Sequence, residues 1–568
     1  MRRIAPLALL AVLSGCAGQG SPPVDRAYYG TLEPFASEAV YFVITDRFVD
    51  GDSRNNYPDQ GGRSRTFDRP IEHPDGGSAN IGYLGGDFQG ILNNAEYIAD
   101  MGFTALWITP IVENPDEAFS GGFGLNESQF ADRGKTGYHG YWGVNFFEVD
   151  EHLESPGLGF AEFNRRLEAE HGLQTVLDIV SNHGSPSFTM PEDQPMFGEI
   201  YDRRGNLVAD HQNLPPAELD PNNPLHAFFH REPDIAQASN LDDTNPDVLR
   251  YFVDAYLHWI EQGADAFRID TIRHMPHAYW KQFSDQVRSV HPGFFMFGES
   301  FDYRAEAIAQ HTYVENGGIS VLDFPGKERM SEVFSEVDGD YQRIVDYLHL
   351  TDGVYENPYD LMIFYDNHDM PRLDASETGF IDANNWLFTS RGIPVVYYGS
   401  EVAFRAGLAE HKGNRDYFGQ ENVDAAWTHP IRQSLSEIAR VRRDSPALQR
   451  GLQANYRFTQ HTAVFFRVFQ NEGVAQTALV ALNKGDQVAT LAVDDWLSLG
   501  VWRDAHTGER LAVSQDRSTL RFAVPAHGVR VLLFDGPNTN SSLASVLDDL
   551  HRGAGARGEI RAGGSVAP

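Results

Sequence analysis

The feature that most constrains the fold is a regular alternation between short β-branched or aromatic runs and longer amphipathic stretches. It begins near residue 38 and continues past residue 390. Short apolar runs separated by segments of helical period are typical of repeated strand–helix units. Eight runs are compatible with strands: Ala39–Thr45, Ala105–Thr109, Thr175–Val180, Ala266–Asp270, Phe294–Glu299, Ile319–Phe324, Leu361–Asp366 and Pro394–Tyr398.

Eight such units predict an α/β protein built on a closed (β/α)8 TIM barrel, with its active site at the carboxyl ends of the strands. Asn245-Pro246 begins one helix with an Asn cap followed by Pro at the first helical position. The main helix candidates are Gly90–Met101, Phe160–Glu170, Pro246–Gln262 and Ala278–Val290.

Two segments depart from the repeat. Residues 184–241 follow the third strand and are rich in Pro, Asn and Asp, which predicts a small inserted domain. Residues 453–536 lose the helical period and alternate as strands do, which predicts a C-terminal antiparallel β-sandwich. The predicted parts are a signal peptide (1–15), a tether (16–37), the barrel (38–183 and 242–452), the inserted domain (184–241), the sandwich (453–536) and a mostly disordered tail (537–568) with one weak helical segment.

The charge balance excludes one class of partner. Acidic residues number 80 and basic residues 45, so the net charge is −35. A surface this negative repels polyphosphates, and we expect no nucleic-acid partner. The net charge neither favours nor disfavours an uncharged ligand such as a sugar. No Gly pair stands in the strand–GxGxxG–helix context of a dinucleotide site, and no obligate protein partner is indicated.

The amino terminus is typical of an export signal. The apolar run Ile4–Leu13 follows Met1-Arg2-Arg3 and is shorter than the roughly 20 residues of a membrane span. Cys16, the only cysteine, comes next and resembles the lipidated cysteine of bacterial lipoproteins. The alternative is a small buried side chain. We expect an exported lipoprotein of the cell envelope, at the outer membrane or facing the periplasm if the host has two membranes, with the lipid as its only membrane contact.

Three acids stand at predicted strand ends. Asp270 and Glu299 close the fourth and fifth strands, and Asp369 follows the seventh. Arg268 shares one strand face with Asp270, because side chains alternate along a strand. Adjacent strands lie about 4.8 Å apart. Two such carboxyls can therefore approach to about 5–5.5 Å, the separation in retaining glycosidases.

The surroundings of the two acids predict different roles. Arg268 favours an anionic Asp270, which suits a nucleophile, whereas Glu299 follows apolar neighbours and can hold a proton as the general acid and base. One acid at a strand end is more often a cap or a surface ion pair. Three acids on one barrel rim favour catalysis.

Four sequence blocks then resemble those of the α-amylase family of glycoside hydrolases. They are Asp178-Ile-Val-Ser-Asn182-His183, Gly263 to His274, Phe297-Gly-Glu299 and Tyr365-Asp-Asn367-His368-Asp369. The resemblance covers residues 38–536 and is strongest to the cyclodextrin glucanotransferase and maltogenic amylase branch. It implies an α-glucan substrate such as starch.

The resemblance also implies roles for single residues. Asp270 would be the nucleophile, Glu299 the acid/base, and Asp369 the clamp on the sugar hydroxyls. Further sugar contacts would come from Arg268, His183, His368, Tyr141, Phe301 and Arg415. Taken one at a time, the histidines and Tyr141 are more typical of core packing than of a binding site.

An oxygen-rich loop suggests calcium, which takes 6–8 oxygen ligands. Locally, the pattern is also that of an ordinary Asx turn. The resemblance to the calcium loop of these amylases implies the ligands Asp50, Asp52, Asn55, Asn56, Gly85 and Asp87. A second calcium site is implied for Asn182, Asn240 and the His274 carbonyl. Asn240 replaces the usual Asp there, which weakens divalent binding.

Three departures from the transferases favour hydrolysis. Ala236 stands where a large aromatic is expected at the centre of the cleft, and His411 stands where an acid is expected near Arg415. The additional C-terminal modules of the transferases are not expected here. We therefore predict a retaining α-1,4-glucan hydrolase that forms a covalent glycosyl-Asp intermediate. The alternatives are a glucanotransferase that uses the same residues and a non-catalytic glycan-binding lipoprotein, which the intact acid trio disfavours.

Overall fold

A computed structural model describes residues 26–72, 78–122, 133–336 and 338–562. Cys16 and the predicted signal peptide lie outside these ranges. No helix within them is both long enough and apolar enough to cross a bilayer.

Eight parallel strands form the barrel. Their ladder runs β6-β5-β4-β3-β2-β1-β8-β7, and a parallel bridge between Leu322 and Met362 joins the two edges. The predicted (β/α)8 barrel is therefore confirmed. The strands are β1 Val40–Val43, β2 Ala105–Ile108, β3 Gln174–Ile179, β4 Ala266–Ile269, β5 Phe295–Gly298, β6 Ser320–Val321, β7 Met362–Ile363 and β8 Ile393–Tyr397.

The last strands before the closure are shorter than predicted. β6 covers two residues of the six in Ile319–Phe324. It ends early because Asp323 caps the next helix, accepting a hydrogen bond of 3.0 Å from the Gly326 amide. Phe324 is therefore helical and does not continue the strand.

The helices follow the predicted amphipathic segments. In Pro246–Glu261 the Asn245 side chain accepts a 2.9 Å hydrogen bond from the Asp247 amide, as the Asn-Pro pair predicts. The α-helices are Thr45–Phe48, Phe88–Asn93, Ala95–Asp100, Phe160–Arg166, Pro246–Glu261, His277–Val290, Ala305–Ala309, Phe324–Phe334, Gln342–Val345, Glu377–Leu387, Gly419–Ala426, Pro430–Arg443, Pro446–Arg450 and Ser541–Ala562.

The inserted segment after β3 is short in regular structure. Strand His183–Pro186 pairs antiparallel with Ala238–Asn240, so the two ends of the insertion are hydrogen-bonded to each other. Between them lies a hairpin of Glu199–Tyr201 and Leu207–Asp210. Four further short strands form two antiparallel pairs, Pro70–Glu72 with Ser78–Asn80 and Val112–Glu113 with Asn145–Val149.

The C-terminal domain is all β. One sheet has the order β9-β10-β11-β16-β13-β14, and β12 pairs with β15 in a second, smaller sheet. Alternating side chains such as Phe466 and Trp502 fill the space between the sheets. The strands are β9 Leu452–Phe458, β10 Thr462–Asn471, β11 Val474–Asn483, β12 Ala489–Val493, β13 Gly500–Asp504, β14 Arg510–Val513, β15 Leu520–Val524 and β16 Gly528–Asp535.

Two terminal predictions need correction. Part of the predicted tether is packed, because Tyr28 is 3% exposed and its amide donates a 2.7 Å hydrogen bond to the Gln470 carbonyl. The tail predicted as mostly disordered contains the helix Ser541–Ala562, and Leu543 and Leu547 are buried in the core of the C-terminal domain. The Tyr28 hydroxyl donates to Asp548 at 3.0 Å, so the two terminal segments contact each other.

Candidate active site

Asp270 and Glu299 lie side by side, each one residue beyond the end of its strand. The Asp270 amide donates to the Ile179 carbonyl at 2.9 Å, and the Glu299 amide donates to the Ile269 carbonyl at 2.8 Å. The parallel ladder thus fixes both backbones. Each residue is only 6% exposed. The predicted juxtaposition of these two acids at the barrel rim is present in the structure.

One guanidinium connects the acids. Arg268 Nη1 lies 2.9 Å from Asp270 Oδ1, and Arg268 Nη2 lies 2.9 Å from Glu299 Oε2. The same Nη1 lies 2.8 Å from Asp178 Oδ1. Arg268 is fully buried, so these three carboxylates supply its charge compensation.

Asp178 is a site residue that the sequence prediction omitted. It accepts hydrogen bonds from Trp107 Nε1 at 3.0 Å and from the Tyr141 hydroxyl at 2.8 Å. Asp178 and Arg268 are direct partners in the β3–β4 register. The signal available in the sequence was the place of Asp178 at the start of the first of the four family-like blocks.

The third acid, Asp369, is more open than the other two. Its side chain is 28% exposed. Arg415 Nη2 lies 2.5 Å from Asp369 Oδ1, and His368 Nε2 lies 3.2 Å from Oδ2. The same His368 nitrogen lies 2.8 Å from the Tyr141 hydroxyl. Hydrogen bonds and ion pairs therefore connect Asp369 to Asp178, through His368 and Tyr141.

The acids differ in their proton affinity. Burial raises the pKa of Glu299 well above its ordinary value, and Arg268 opposes that rise. Burial would also raise the pKa of Asp369, but His368 and Arg415 outweigh it and the pKa is lowered. Burial lowers the pKa of His368 to about 3, so this imidazole is neutral at pH 7. The pKa values of Glu299 and Asp369 are thus shifted in opposite directions.

The remaining predicted sugar contacts fall into two groups. His183 is buried, with its Nδ1 unpartnered, and burial lowers its pKa. Tyr141 is 9% exposed and stacks on the His368 ring at 5.6 Å. Phe301 is different, because it is 40% exposed with its ring 4.7 Å from that of Phe324. Phe301 offers an open aromatic face next to Glu299.

Comparison with known proteins agrees with this geometry. A family model described as alpha amylase, catalytic domain, matches residues 42–436. The chain belongs to the α-amylase family. Among curated relatives, a cyclomaltodextrin glucanotransferase of Klebsiella oxytoca is 28% identical and is aligned over 86% of this chain and 77% of its own length. An alpha-amylase of Niallia circulans is 27% identical over 92% of this chain and 96% of its own length.

Solved structures of the α-amylase family superpose on most of the chain. A three-domain cyclomaltodextrin glucanotransferase, CldA, has a TM-score of 0.69 at 28% identity and covers 88% of this chain and 99% of its own. An Anoxybacillus alpha-amylase has a TM-score of 0.67 at 25% identity, covering 89% and 99%. Proteins named as a hydrolase (alpha-amylase) and as a transferase (cyclomaltodextrin glucanotransferase) therefore both occur among the similar proteins.

Two positions expected to differ from the transferase branch can be located. Ala236 is exposed and has a φ of +45°, in a loop that follows Asp234. The second position, His411, directly follows Glu410 in the chain. Glu410 Oε1 lies 3.0 Å from Arg415 Nη1.

The predicted first calcium loop brings oxygen atoms together. A Cβ at Gly85 would lie 2.4 Å from Asn56 Oδ1 and 2.9 Å from Asp50 Oδ2, so the glycine leaves room between them. The Oδ1 atoms of Asn55 and Asn56 are buried without a hydrogen-bond partner. Unpartnered buried carbonyl oxygens are compatible with a hard cation.

Two predicted ligands of this loop have other partners. Asp52 makes a two-pronged contact with Arg54, 2.7 Å to each carboxylate oxygen. Asp87 caps the helix Phe88–Asn93 and accepts from the Asn55 side chain at 3.1 Å. Asp87 still lies within the oxygen cluster, whereas Asp52 is directed toward Arg54.

The predicted second calcium set is only partly assembled. Asp234, which was not predicted, accepts from Asn182 Nδ2 at 2.9 Å and lies 3.0 Å from His274 Nδ1. The Asn240 side chain instead donates to the Glu232 carbonyl at 2.9 Å. Asn182 and His274 therefore meet at a carboxylate, and Asn240 is turned toward the backbone of its own loop.

Proposed function

We propose that this member of the α-amylase family hydrolyses α-1,4-glucosidic bonds of starch or maltooligosaccharides with retention of configuration. The observation that carries the proposal is the shared contact of Asp270 and Glu299 with Arg268, which places both carboxyls at one rim position. A protonated acid next to a carboxylate is what double displacement requires.

In the proposed first step, an Asp270 oxygen attacks the anomeric carbon while Glu299 transfers its proton to the departing glucosidic oxygen. In the second step, Glu299 accepts a proton from water, which attacks the anomeric carbon and releases Asp270. Arg268 holds the Asp270 carboxylate by an ion pair of 2.9 Å. Asp369 and neutral His368 are placed to hydrogen-bond the sugar hydroxyls, and Phe301 to stack on the leaving side.

Hydrolysis is favoured over transfer because Ala236 is small and exposed. A side chain this small cannot shield the intermediate from water or support a winding glucan chain. Glucan transfer by the same acids is the alternative, and the names of similar proteins favour it. Maltoheptaose products decide between them: short reducing sugars are expected, and chains longer than the donor or cyclic products would overturn hydrolysis.

Asp270→Asn tests the catalytic assignment itself. The variant should lose turnover by a factor of about 10³ or more while still binding maltoheptaose, because the attacking oxygen is lost but the cleft is kept. NMR of the first products formed by the wild-type enzyme should show the α anomer. Unchanged turnover in the variant, or a β product, would refute the proposed mechanism.

We also propose that the Asp50 loop binds one calcium ion through Asp50, Asn55, Asn56 and Asp87. The two orphaned amide oxygens support this, and Ca²⁺ would supply the charge that satisfies them. Calcium would hold the loop against the barrel and takes no part in the bond cleavage. The predicted second calcium site has no unpartnered buried oxygen at Asn182, and we propose no ion there.

For localisation, we propose the exported lipoprotein that the sequence predicts, with Cys16 acylated. The support is the coincidence of the export signal and the only cysteine. Labelling with a radioactive fatty acid in a bacterial host should mark the wild type and leave Cys16→Ser unmarked. Label in both proteins would contradict this proposal.

A further inference from the structure

A groove of about 730 Å³ lies on the outer face of the barrel, away from the acid trio. One wall is the helix Pro246–Glu261, and the other is the hairpin of the inserted domain with its turn at Asp202–Arg204. We call it the helix groove.

The sequence of the helix sets the shape of this wall. Arg250, Asp254, Leu257 and Glu261 follow one another at spacings of four, three and four, so they form one stripe along the helix. All four line the groove. The stripe is about 17 Å long at 1.5 Å per residue. That length suits an extended oligomer better than a single small molecule.

The floor of the helix groove is aromatic. The Phe147 and Phe228 rings lie 5.2 Å and 6.0 Å from that of Tyr251, each nearly perpendicular to it. The Tyr251 hydroxyl donates to the Tyr201 carbonyl at 2.6 Å, which fixes the central ring. Phe147 and Phe228 are half-buried, so part of each ring remains accessible.

The rim of the helix groove carries both acidic and basic side chains. The side chains of Asp254 and Glu261 are exposed and have no hydrogen-bond or ion-pair partner among the described residues, and on the facing wall the Arg204 amide donates to Asp202 Oδ1 at 2.8 Å. In total, four carboxylates and three guanidiniums line the groove. On a chain with a net charge of −35, this patch is nearly neutral.

We propose that the helix groove binds a second stretch of the α-glucan substrate. The proposal rests on the function proposed above. A glucan chain is neutral, presents apolar ring faces and carries hydroxyls along both edges. An aromatic floor between mixed polar walls is complementary to each of these properties. The nearly neutral rim matches an uncharged ligand, whereas the rest of the surface would favour cations.

The expected advantage is confined to long substrates. A polymer held in the helix groove stays near the acid trio, which raises the effective concentration of its other segments at the cleft. A heptasaccharide gains nothing of this kind, because it is released whole from either site. The ratio of kcat/KM for soluble starch to kcat/KM for maltoheptaose therefore reports on the groove.

The double variant Asp254→Ala, Glu261→Ala tests the proposal. Both side chains are exposed and unpaired, so folding should be unaffected. We expect the starch-to-heptaose ratio to fall about threefold or more, with the heptaose value unchanged. Asp285→Ala, an exposed acid on the neighbouring helix His277–Val290, is the matched control and should leave the ratio unchanged. An unchanged ratio in the double variant overturns the proposal.

Calorimetry of maltoheptaose binding provides a second readout. Asp270→Asn enzyme should bind two heptaose molecules per chain, and the same enzyme with Asp254→Ala and Glu261→Ala should bind one. One binding event in both proteins overturns the helix groove while leaving the proposed function intact. If no α-glucan is cleaved by the wild type, the proposed function fails instead, and the two failures remain distinguishable.

Discussion

Arg268 Nη2 lies 2.9 Å from Oε2 of Glu299, and the arginine is fully buried. The other amino nitrogen of the same guanidinium contacts Asp178 and Asp270. A single cation thus faces three carboxyls in a site of low dielectric. One positive charge cannot compensate three negative ones, and burial raises the pKa of Glu299 well above its ordinary value although Arg268 opposes the rise.

Arg268→Lys should lower kcat on maltoheptaose by about a hundredfold or more, because a point charge cannot contact three carboxyls as the planar fork does. The variant should also lose about 3 kcal/mol of unfolding free energy, since it leaves buried carboxyls unpaired. Steady-state kinetics and urea unfolding measure both. Arg304→Lys, which keeps an exposed pair with Asp302, is the control. A kcat within threefold of wild type would remove Arg268 from the mechanism.

Glu299→Gln should separate the two proposed roles of the acid. Cleavage of maltoheptaose needs a proton on the leaving oxygen, and the variant should lose about 10³-fold. Fluoride leaves without protonation, so first-turnover fluoride release from α-maltotriosyl fluoride should stay within about tenfold of wild type. Equal losses on both donors would mean that Glu299 is not the general acid.

The wild-type pH profile should follow from the same residue. Activity on maltoheptaose requires protonated Glu299 and is lost as pH rises through its pKa, which burial raises above the ordinary range of a carboxylic acid. First-turnover release of fluoride should lack this alkaline limb. An alkaline limb that appears equally with both donors would assign it to another group.

The fold was readable from the sequence because its signals are local. Each barrel strand is a short apolar run, and each rim acid follows such a run, so alternation alone placed Asp270 and Glu299 together. The terminal helix was missed because its Gly-, Ser- and Ala-rich composition outweighed its apolar positions at Leu543 and Leu547. These leucines are buried only by packing against the C-terminal domain, and tertiary contact of that kind leaves no local pattern.

The prediction of the active site was less complete, because contacts between distant parts of the chain position some of its residues. Asp178 contacts Arg268 through lateral register between two strands that are 90 residues apart in sequence, and no single strand reveals that register. Glu410 and Asp234 lie on loops, where neither period nor length fixes which residue faces inward. Sequence reasoning therefore found the acids at strand ends and did not find the acids that loops supply.

Removal of calcium should destabilise the Asp50 loop without altering the acid trio. We expect EGTA to lower the Tm of the wild type by several degrees and added Ca²⁺ to restore it, because the ion binds only the folded loop. Asp50→Asn should have a lower Tm that neither treatment changes. Asp59→Asn, an exposed acid nearby, is the control. A wild-type Tm indifferent to EGTA would refute the calcium proposal.

Leu547→Ala tests the correction at the carboxyl terminus. Leu547 is fully buried in the C-terminal core, and its truncation should cost about 2–5 kcal/mol through lost burial and a cavity. Scanning calorimetry should show a lower Tm, and kcat on maltoheptaose at 25 °C should be unchanged. Ser545→Ala, on the exposed face of the same helix, should match the wild type. An unshifted transition for Leu547→Ala would show that this helix does not support the domain.

Asp382→Asn tests a titrating contact between the barrel and the C-terminal domain. His527 Nδ1 lies 2.7 Å from Asp382 Oδ2, and burial raises the pKa of Asp382 to about 7 although His527 opposes the rise. Burial lowers the pKa of His527, but its two aspartate partners, Asp382 and Asp486, outweigh burial and the pKa is raised.

Both shifts have the same sign for stability. The native state binds protons that the unfolded state releases, so this contact contributes most below about pH 4 and loses stability as pH rises through 7. Asp382→Asn cannot ionise, so its unfolding free energy should fall less than that of the wild type between pH 4 and pH 8, as measured by urea unfolding. Parallel pH dependences in the two proteins would show that Asp382 is ionised throughout this range.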